Sequence, residues 1–364
     1  MGRIPTIQPA TGVAPFRLHA QPSASIGSYR LPAVERAGTA PGLSLPVLAL
    51  SVVIVNYRSD GETRRLVQSL SRSESLRRGQ AEVLVIDNGA RAGSELGSMP
   101  TIDGVSLRQL HDNVGFGQAV NHAAFHSRGE WLLLLNPDVE VTAVFLDHAI
   151  TFLGQADSRD GVIGLRLPDA DGKTQPSVGT PPALMDVVLG FLRPRGRRRC
   201  NVSSRRCRHE VGWVSGCGMA IRRACFNQIG GFDPDYFLYY EDVDLSQRAR
   251  SAGWNVVHDP RLAICHHHPL HTRPVPPRLR LLTRQALLTY ARKHWSATAA
   301  TCLALVVTLE AWVRRLVAWR NPADQQALVE LSRLAWDGLQ GQHRRAFLRA
   351  WRIAQEGGRD VRVP

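Results

Sequence analysis

Four consecutive leucines at residues 132–135 constrain the fold more than any other stretch of the chain. The run is too short for a helix or a membrane span, so it predicts a strand buried on both faces. It stops at Asn136-Pro137-Asp138. Proline cannot continue a central strand's hydrogen-bonding ladder, so the chain turns there. A carboxylate, Asp138, is thereby delivered to the carboxyl end of a buried strand, the edge where open α/β sheets bind ligands. By itself the stretch fits a strand closed by a capped turn equally well.

Apolar runs at 50–55, 83–86, 105–110 and 162–167 repeat the pattern, with helical spacing between them, as at Leu66, Val67 and Leu70. Strand and helix alternate as in βαβ units on a parallel sheet. Beyond residue 167 the pattern changes. Residues 168–179 are turn-rich and suggest a small hairpin, and 213–221 read as strand, glycine turn and strand. A short helix at 223–229 closes on Gly230-Gly231, the glycine stop expected after a helix. An aromatic loop at 232–240 leads into a helix at 241–252, and 254–257 make a last strand. Residues 1–46, rich in Pro, Ala, Gly and Ser, read as a disordered leader, and 276–364 as a basic helical extension.

Hydrophobic and charged contents of 44% and 21% are those of a globular protein and exclude a wholly disordered chain. The formal net charge of +14 implies attraction to polyanions: nucleic acid, an anionic membrane face or phosphorylated substrates. The arginine run at 193–208 lacks a recognition fold or interleaved aromatics, so it reads as a solvated or membrane-facing loop. Six cysteines form no CxxC pair, and the N-terminus lacks the regions of a signal peptide. Both features predict a reducing, cytosolic location. The best spanning candidate, 297–309, is about half the length a span needs before it meets Glu310, Arg314 and Arg315. It predicts an interfacial or buried amphipathic helix.

Five groups of residues can carry chemistry. Asp87-Asn88-Gly89 closes the second strand; its carboxylate can accept from a nucleobase or a ribose, although the same sequence makes a good Asx turn. Asn113, Gly115 and Gly117 form a glycine-containing loop at a helix start, where small residues let backbone N–H groups approach a ligand. Asn121 lies about one turn further on and faces either that pocket or solvent. Asp138 offers one hard oxygen, enough for Mg²⁺ or Mn²⁺ only when a diphosphate supplies other ligands. Tyr239-Tyr240-Glu241-Asp242-Val243-Asp244 places carboxylates at a helix N-terminus, where they either cap the helix or take a proton from an acceptor hydroxyl. His266, His267 and His268 are adjacent, which is not zinc spacing; a site from Cys200, Cys207, His209 and Cys265 lacks any tight C-x₂₋₄-C element.

In order, Val53-Ile-Val-Asn-Tyr57, Val85-Ile-Asp-Asn-Gly89, Asn113-Val-Gly-Phe-Gly117 with Asn121, and Leu135-Asn-Pro-Asp-Val-Glu-Val141 resemble family 2 of the inverting glycosyltransferases. Gly216-Cys-Gly-Met-Ala-Ile-Arg222, Ile229-Gly-Gly-Phe-Asp233 and Tyr240-Glu-Asp-Val-Asp-Leu245 continue the resemblance, which is to the rhamnosyltransferase-like branch and covers roughly residues 50–272. It implies an α/β GT-A fold, a Rossmann-like and mostly parallel sheet at 47–275, with a nucleotide-binding half at 47–167 and an acceptor half at 168–275. The resemblance assigns Asn56, Asp87, Asn88, Asn113, Gly115, Gly117, Asn121 and Asn136 to the nucleotide sugar, and Tyr239, Tyr240 and Glu241 to the acceptor. Asp242 would be the catalytic base, and Asp138 would bind Mg²⁺ or Mn²⁺ with His266. Asn136 replaces the first acid of the family's DxD element, and Pro269 and His271 depart from its histidine motif, leaving His267 and His268 as rivals of His266. The implied reaction moves a sugar, rhamnose by branch analogy, from a dTDP- or UDP-sugar to a glycan or polyprenyl-diphosphate-linked acceptor in cell-wall or surface polysaccharide synthesis. The implied place is peripheral, on the cytoplasmic membrane face, with no specific nucleic acid. Rival readings are a polyprenyl-phosphate glycosyl synthase or galactofuranosyltransferase of the same fold, or a non-enzymatic basic module binding nucleic acid or membrane.

Overall fold

The computed structural model describes residues 48–90, 94–190, 207–267, 277–317 and 322–356. The expected leader at 1–46, the arginine run at 193–206, Cys200, His268 and His271 lie outside the described residues. The first half runs β1 (Leu48–Asn56), α1 (Asp60–Leu70), α2 (Glu74–Arg77), β2 (Ala81–Asn88), β3 (Val105–Leu110), α3 (Phe116–Phe125), β4 (Gly129–Leu135), β5 (Val139–Glu140), α4 (Phe145–Gly154) and β6 (Asp160–Arg166). Then come β7 (Val178–Gly179), α5 (Leu184–Gly190), β8 (His209–Glu210), β9 (Trp213–Val214), β10 (Met219–Arg222), α6 (Arg223–Gln228), α7 (Glu241–Ser251), β11 (Asn255–Ala263) and β12 (Cys265–His266). Four helices close the chain: α8 (Pro277–His294), α9 (Ala297–Val317), α10 (Pro322–Leu339) and α11 (His343–Glu356).

Eight strands form one sheet in the order β3-β2-β1-β4-β10-β6-β11-β8. Strands β3, β2, β1 and β4 are parallel, as are β6 and β11; β10 is inserted antiparallel between β4 and β6. The sheet is thus mostly parallel, as the sequence predicts. The leucine run is β4, and its residues divide between the two faces. Leu133 and Leu135 pack with Leu66, Val67 and Leu146 from α1 and α4. Leu132 and Leu134 pack with Ala119, Val120 and Leu245 from α3 and α7. Strand β3, the edge, alternates between half-buried and exposed, which explains its weak apolar signal in the sequence.

Two boundaries differ from the sequence reading. The last strand runs to Ala263 through Asp259-Pro260, because a register shift between Asp259 and Ala263 absorbs the proline. Helix α9 runs through Glu310 to Val317, past the segment 297–309 that the sequence offered as the best spanning candidate. The acid does not end it because Arg284 of α8 and Arg314 hold its carboxylate at 2.9 Å each. Residues Ala297–Leu316 are therefore long and apolar enough to cross a membrane by length and composition, although only 22% of that apolar window is buried.

A third apolar cluster joins α8–α11 to the aromatic loop before α7. Leu282, Leu287, Tyr290 and Leu331 pack with Tyr236, Phe237, Tyr240 and Val243. The basic extension is thus fastened to the loop that leads into the carboxylates of α7.

Candidate active site

Parallel strands place their carboxyl ends at one edge. Asn56 of β1 pairs with Asp87 of β2, and Ile54 with Leu135 of β4, so Asp87, Asn56 and the 136–138 turn line up there. Asn56 is fully engaged within the protein. Its amide donates to Asp60 Oδ1 (2.9 Å) and Asp87 Oδ1 (3.0 Å) and accepts from Ser59 N (3.1 Å) and Thr63 Oγ1 (2.9 Å). Two donors and two acceptors exhaust what an asparagine side chain readily offers. Asn56 is therefore occupied in holding the Asp87 carboxylate in place. Ser94, which the sequence did not single out, has its Oγ within hydrogen-bond reach of the other Asp87 oxygen (3.1 Å) and of Asp60 Oδ2 (3.2 Å), its one proton serving either.

The glycine loop differs from its sequence reading. A Cβ on Gly115, whose φ is +87°, would lie 2.3 Å from the Phe237 carbonyl oxygen, and one on Gly117 2.9 Å from Phe232 Cβ. The small residues make room for the aromatic loop. The backbone N–H groups of Val114, Gly115 and Phe116 donate to Asn88 Oδ1 (2.9 Å), Asn113 Oδ1 (2.9 Å) and Phe237 O (3.1 Å). They are not presented to a phosphate. Asn88 also donates to Asn113 Oδ1 (3.0 Å), so these two asparagines shape the loop. Asn121 donates to Phe232 O (2.7 Å) and accepts from Phe232 N (2.8 Å). It pins the aromatic loop to α3 instead of facing a pocket.

Asp138 and His266 meet through a small ladder. Strand β12 pairs with β5, His266 opposite Val139 and Cys265 opposite Glu140. His266 Nε2 lies 3.4 Å from Asp138 Oδ1, whereas His267 Nε2 lies 2.8 Å from Glu140 Oε2. Of the two rival histidines that are described, His266 is the one whose ring lies beside Asp138. Gln175, buried and absent from the sequence reading, holds it: Nε2 donates to the His266 carbonyl (2.5 Å) and Oε1 lies 2.8 Å from His266 Nδ1. That contact assigns the Nδ1 proton to the glutamine and turns Nε2 toward Asp138. Burial of the ring works against its charge, but Cys217 and Asp138 outweigh it and raise its pKa to about 10.

Asp242 comes to the same edge from the other side. It is the second residue of α7, and its carboxylate accepts from Val243 N (2.9 Å) and Gly216 N (3.4 Å). The adjacent Cys217 sits beside His266, and Gly218 N donates to Leu134 O (3.1 Å) of β4. The 216–218 turn therefore touches Asp242, His266 and the end of the leucine strand. Tyr239 and Tyr240 enter α7 with φ of +70° and +65°. Left-handed backbone at non-glycine residues costs of order 1–3 kcal/mol and clusters at ligand sites. Tyr240 is buried and packs on Tyr290 of α8 with ring centroids 5.8 Å apart, so of the two tyrosines Tyr239 has the more open side chain. Glu241 is as buried as Asp242. Asp244 is structural: it pairs with Arg248 (2.7 Å) and with His294 of α8 (2.7 Å).

Among the described residues, no group of three or more His, Cys, Asp or Glu could hold a metal. Asp138 supplies one oxygen donor, and His266 a nitrogen donor only when an incoming ion displaces the proton that its raised pKa keeps on Nε2; Asn136 is on the same turn. That set suits a divalent ion whose remaining ligands are substrate oxygens, and does not suit a permanent structural ion. The arrangement places one candidate base, one candidate anion-stabilising corner and one ribose- or base-reading carboxylate along a single sheet edge.

A family model described as glycosyltransferase like family 2 matches residues 46–287. Over 240 residues the chain is 33% identical to the N-acetylglucosaminyl-diphospho-decaprenol L-rhamnosyltransferase of Mycobacterium tuberculosis, covering 60% of this chain and 76% of that one. It is 27% identical over 166 residues to the rhamnosyltransferase WbbL of Escherichia coli K12, covering 42% and 62% of the two. A crystal structure of GalNAc-T7 with UDP, GalNAc and Mn²⁺ superposes with a TM-score of 0.50 at 16% identity, over 73% of this chain and 51% of that one. At that identity the likeness concerns the fold alone.

Proposed function

The chain belongs to the family 2 glycosyltransferases, and on that premise we propose that it transfers rhamnose from a nucleoside-diphosphate donor to a hydroxyl of a lipid-linked glycan, inverting the anomeric centre. The observation that carries this reading is the 216–218 turn, which touches Asp242 through Gly216 and the Asp138–His266 pair through Cys217. A base and a diphosphate-binding corner on opposite sides of one short turn suit a direct displacement.

In this reading Asp87, aimed by Asn56, accepts hydrogen bonds from the nucleoside, and the 113–117 loop shapes the wall beside it. Asn136, Asp138 and His266 face the diphosphate. A divalent ion held there by Asp138 and His266 would neutralise charge developing on the departing nucleoside diphosphate. Tyr239 and Glu241 border the acceptor. Asp242 takes the proton of the acceptor hydroxyl as that oxygen forms its bond to the anomeric carbon. The bond from that carbon to the diphosphate oxygen breaks in the same displacement, so the configuration inverts.

The acceptor is taken to be a diphosphate-linked lipid glycan, as in the name of the mycobacterial relative. Its place is then the cytoplasmic membrane face, where peripheral binding and the net charge of +14 agree. A thermal-shift screen of dTDP-, UDP- and GDP-sugars with and without Mn²⁺ tests the donor. A hundredfold excess of dTDP-rhamnose over its Kd, with Mn²⁺, raises Tm by roughly 5 °C. No shift with any sugar nucleotide would overturn the reading.

A further inference from the structure

The search of the molecule outside the active site leads to α5 and α9. Ten large apolar side chains are exposed among the described residues, and seven lie on these two helices, so the exposure is concentrated instead of scattered. On α9, Leu305, Leu309, Trp312 and Leu316 recur at helical spacing; Leu309, Trp312 and Leu316 are 64%, 57% and 76% exposed. The opposite stripe, Leu303, Val307 and Ala311, is fully buried. Helix α5 packs on α9, and its Met185 and Leu189 are also exposed.

We propose that this two-helix face docks flat on an anionic lipid bilayer. The proposal rests on the reading of a lipid-linked acceptor and names the surface that brings the enzyme to it.

Charge and geometry select the occupant. Glu310, the one acid of α9, is nearly buried and held by Arg284 and Arg314, so it adds no free negative charge to the face. Arg315 lies over the Trp312 ring at 5.4 Å, an aromatic and cation pair suited to headgroup depth. Asp186 is the exposed acid of α5. An apolar surface bordered by arginine fits anionic headgroups over acyl chains. A second copy of a chain with net charge +14 fits it less well. Helix α9 is long enough to cross the bilayer, but its buried stripe and the Glu310–Arg284 pair tie it to α8 and α10, so it lies in the interface plane. Helix α8 packs on α9 and carries Tyr290 and His294 onto Tyr240 and Asp244, beside Asp242. Docking through α9 therefore holds the proposed acceptor side near the membrane.

The test is flotation of the full chain with vesicles of phosphatidylcholine, with and without phosphatidylglycerol, for the native protein and for Leu309→Glu/Leu316→Glu. Both positions are exposed, so the melting temperature of the variant should match the native one, and Leu309→Met/Leu316→Met serves as the apolar control. The native protein and the methionine variant float with anionic vesicles, and the glutamate variant binds them at least about tenfold more weakly. Sugar transfer to a water-soluble acceptor is equal in all three. Equal flotation of the glutamate variant, or failure of the native protein to float, overturns the docking face. So does a native dimer that the glutamate variant converts to monomer without lipid. Flotation as expected with no transfer by any of the three supports the docking face while overturning the transferase reading.

Discussion

Replacing Gln175 by leucine removes two hydrogen bonds to one residue while keeping a side chain of similar bulk. The lost contacts are those to the His266 carbonyl (2.5 Å) and to His266 Nδ1 (2.8 Å), both buried. Each buried polar group left without a partner costs about 1–3 kcal/mol, so with two such groups the variant should lose about 2–6 kcal/mol of stability. The more telling effect is on the ring. Without the Oε1 acceptor the Nδ1 proton is no longer fixed, and Nε2 is no longer turned toward Asp138. Loss of such an outer hydrogen bond to a metal-facing histidine typically costs about 10–100-fold in metal affinity or activity. Turnover of the sugar nucleotide should be titrated with Mn²⁺ in Gln175→Leu and in the native protein, below the melting temperature of both. The midpoint for Mn²⁺ should move up by about tenfold or more. A lower melting temperature with a Mn²⁺ midpoint within about twofold of native would show that Gln175 only packs the core, and would refute the reasoning.

Three further outcomes follow from the same structure. Asp244→Asn removes the charge of a buried carboxylate paired with the part-buried Arg248 and His294 and should cost about 1–3 kcal/mol in urea unfolding; no measurable loss would count against the pairing. Burial, with a smaller push from His209, lowers the pKa of His258 from 6.5 to about 4. The neutral ring is thus fully compatible with the fold above the unfolded pKa, and its contribution is lost as pH falls toward the folded one. Between pH 7 and pH 5 this residue alone should remove about 2 kcal/mol, and His258→Phe should flatten that part of the urea-stability profile. Gly115→Ala sets a Cβ 2.3 Å from Phe237 O at a φ of +87°, so it should displace the aromatic loop and reduce donor binding along with stability; a variant crystal structure with the loop unmoved would argue otherwise.

The sheet and the approximate candidate site were legible in the sequence because parallel strands buried on both faces leave continuous apolar runs, and each run ends in polar residues at the carboxyl edge. Residues 132–135 with Asp138 show this most plainly. The antiparallel insertion of β10 was not legible, since four residues of strand carry no direction. Gln175 and Ser94 were missed for a related reason. Each is a single polar residue in a turn-rich stretch, and only the pairing of β12 with β5 or the approach of the 94–98 segment to Asp60 gives it a partner. The glycines at 115 and 117 were read for ligand approach because sequence does not distinguish a ligand from a neighbouring loop as the reason for a missing Cβ. The spanning candidate was cut short at 309 because Arg284, on another helix, pairs with the Glu310 charge at which the sequence reading ended it.

The central claim is that Asp242 is the base of an inverting sugar transfer. It is tested most directly by following transfer from dTDP-rhamnose, with Mn²⁺, to a diphosphate-linked N-acetylglucosaminyl lipid, with the anomeric configuration of the product assigned by NMR. The native protein should give the inverted linkage. Asp242→Asn should bind the donor as the native protein does and transfer about 10²–10⁴-fold more slowly. Retention of configuration, or transfer by Asp242→Asn at the native rate, would contradict the account.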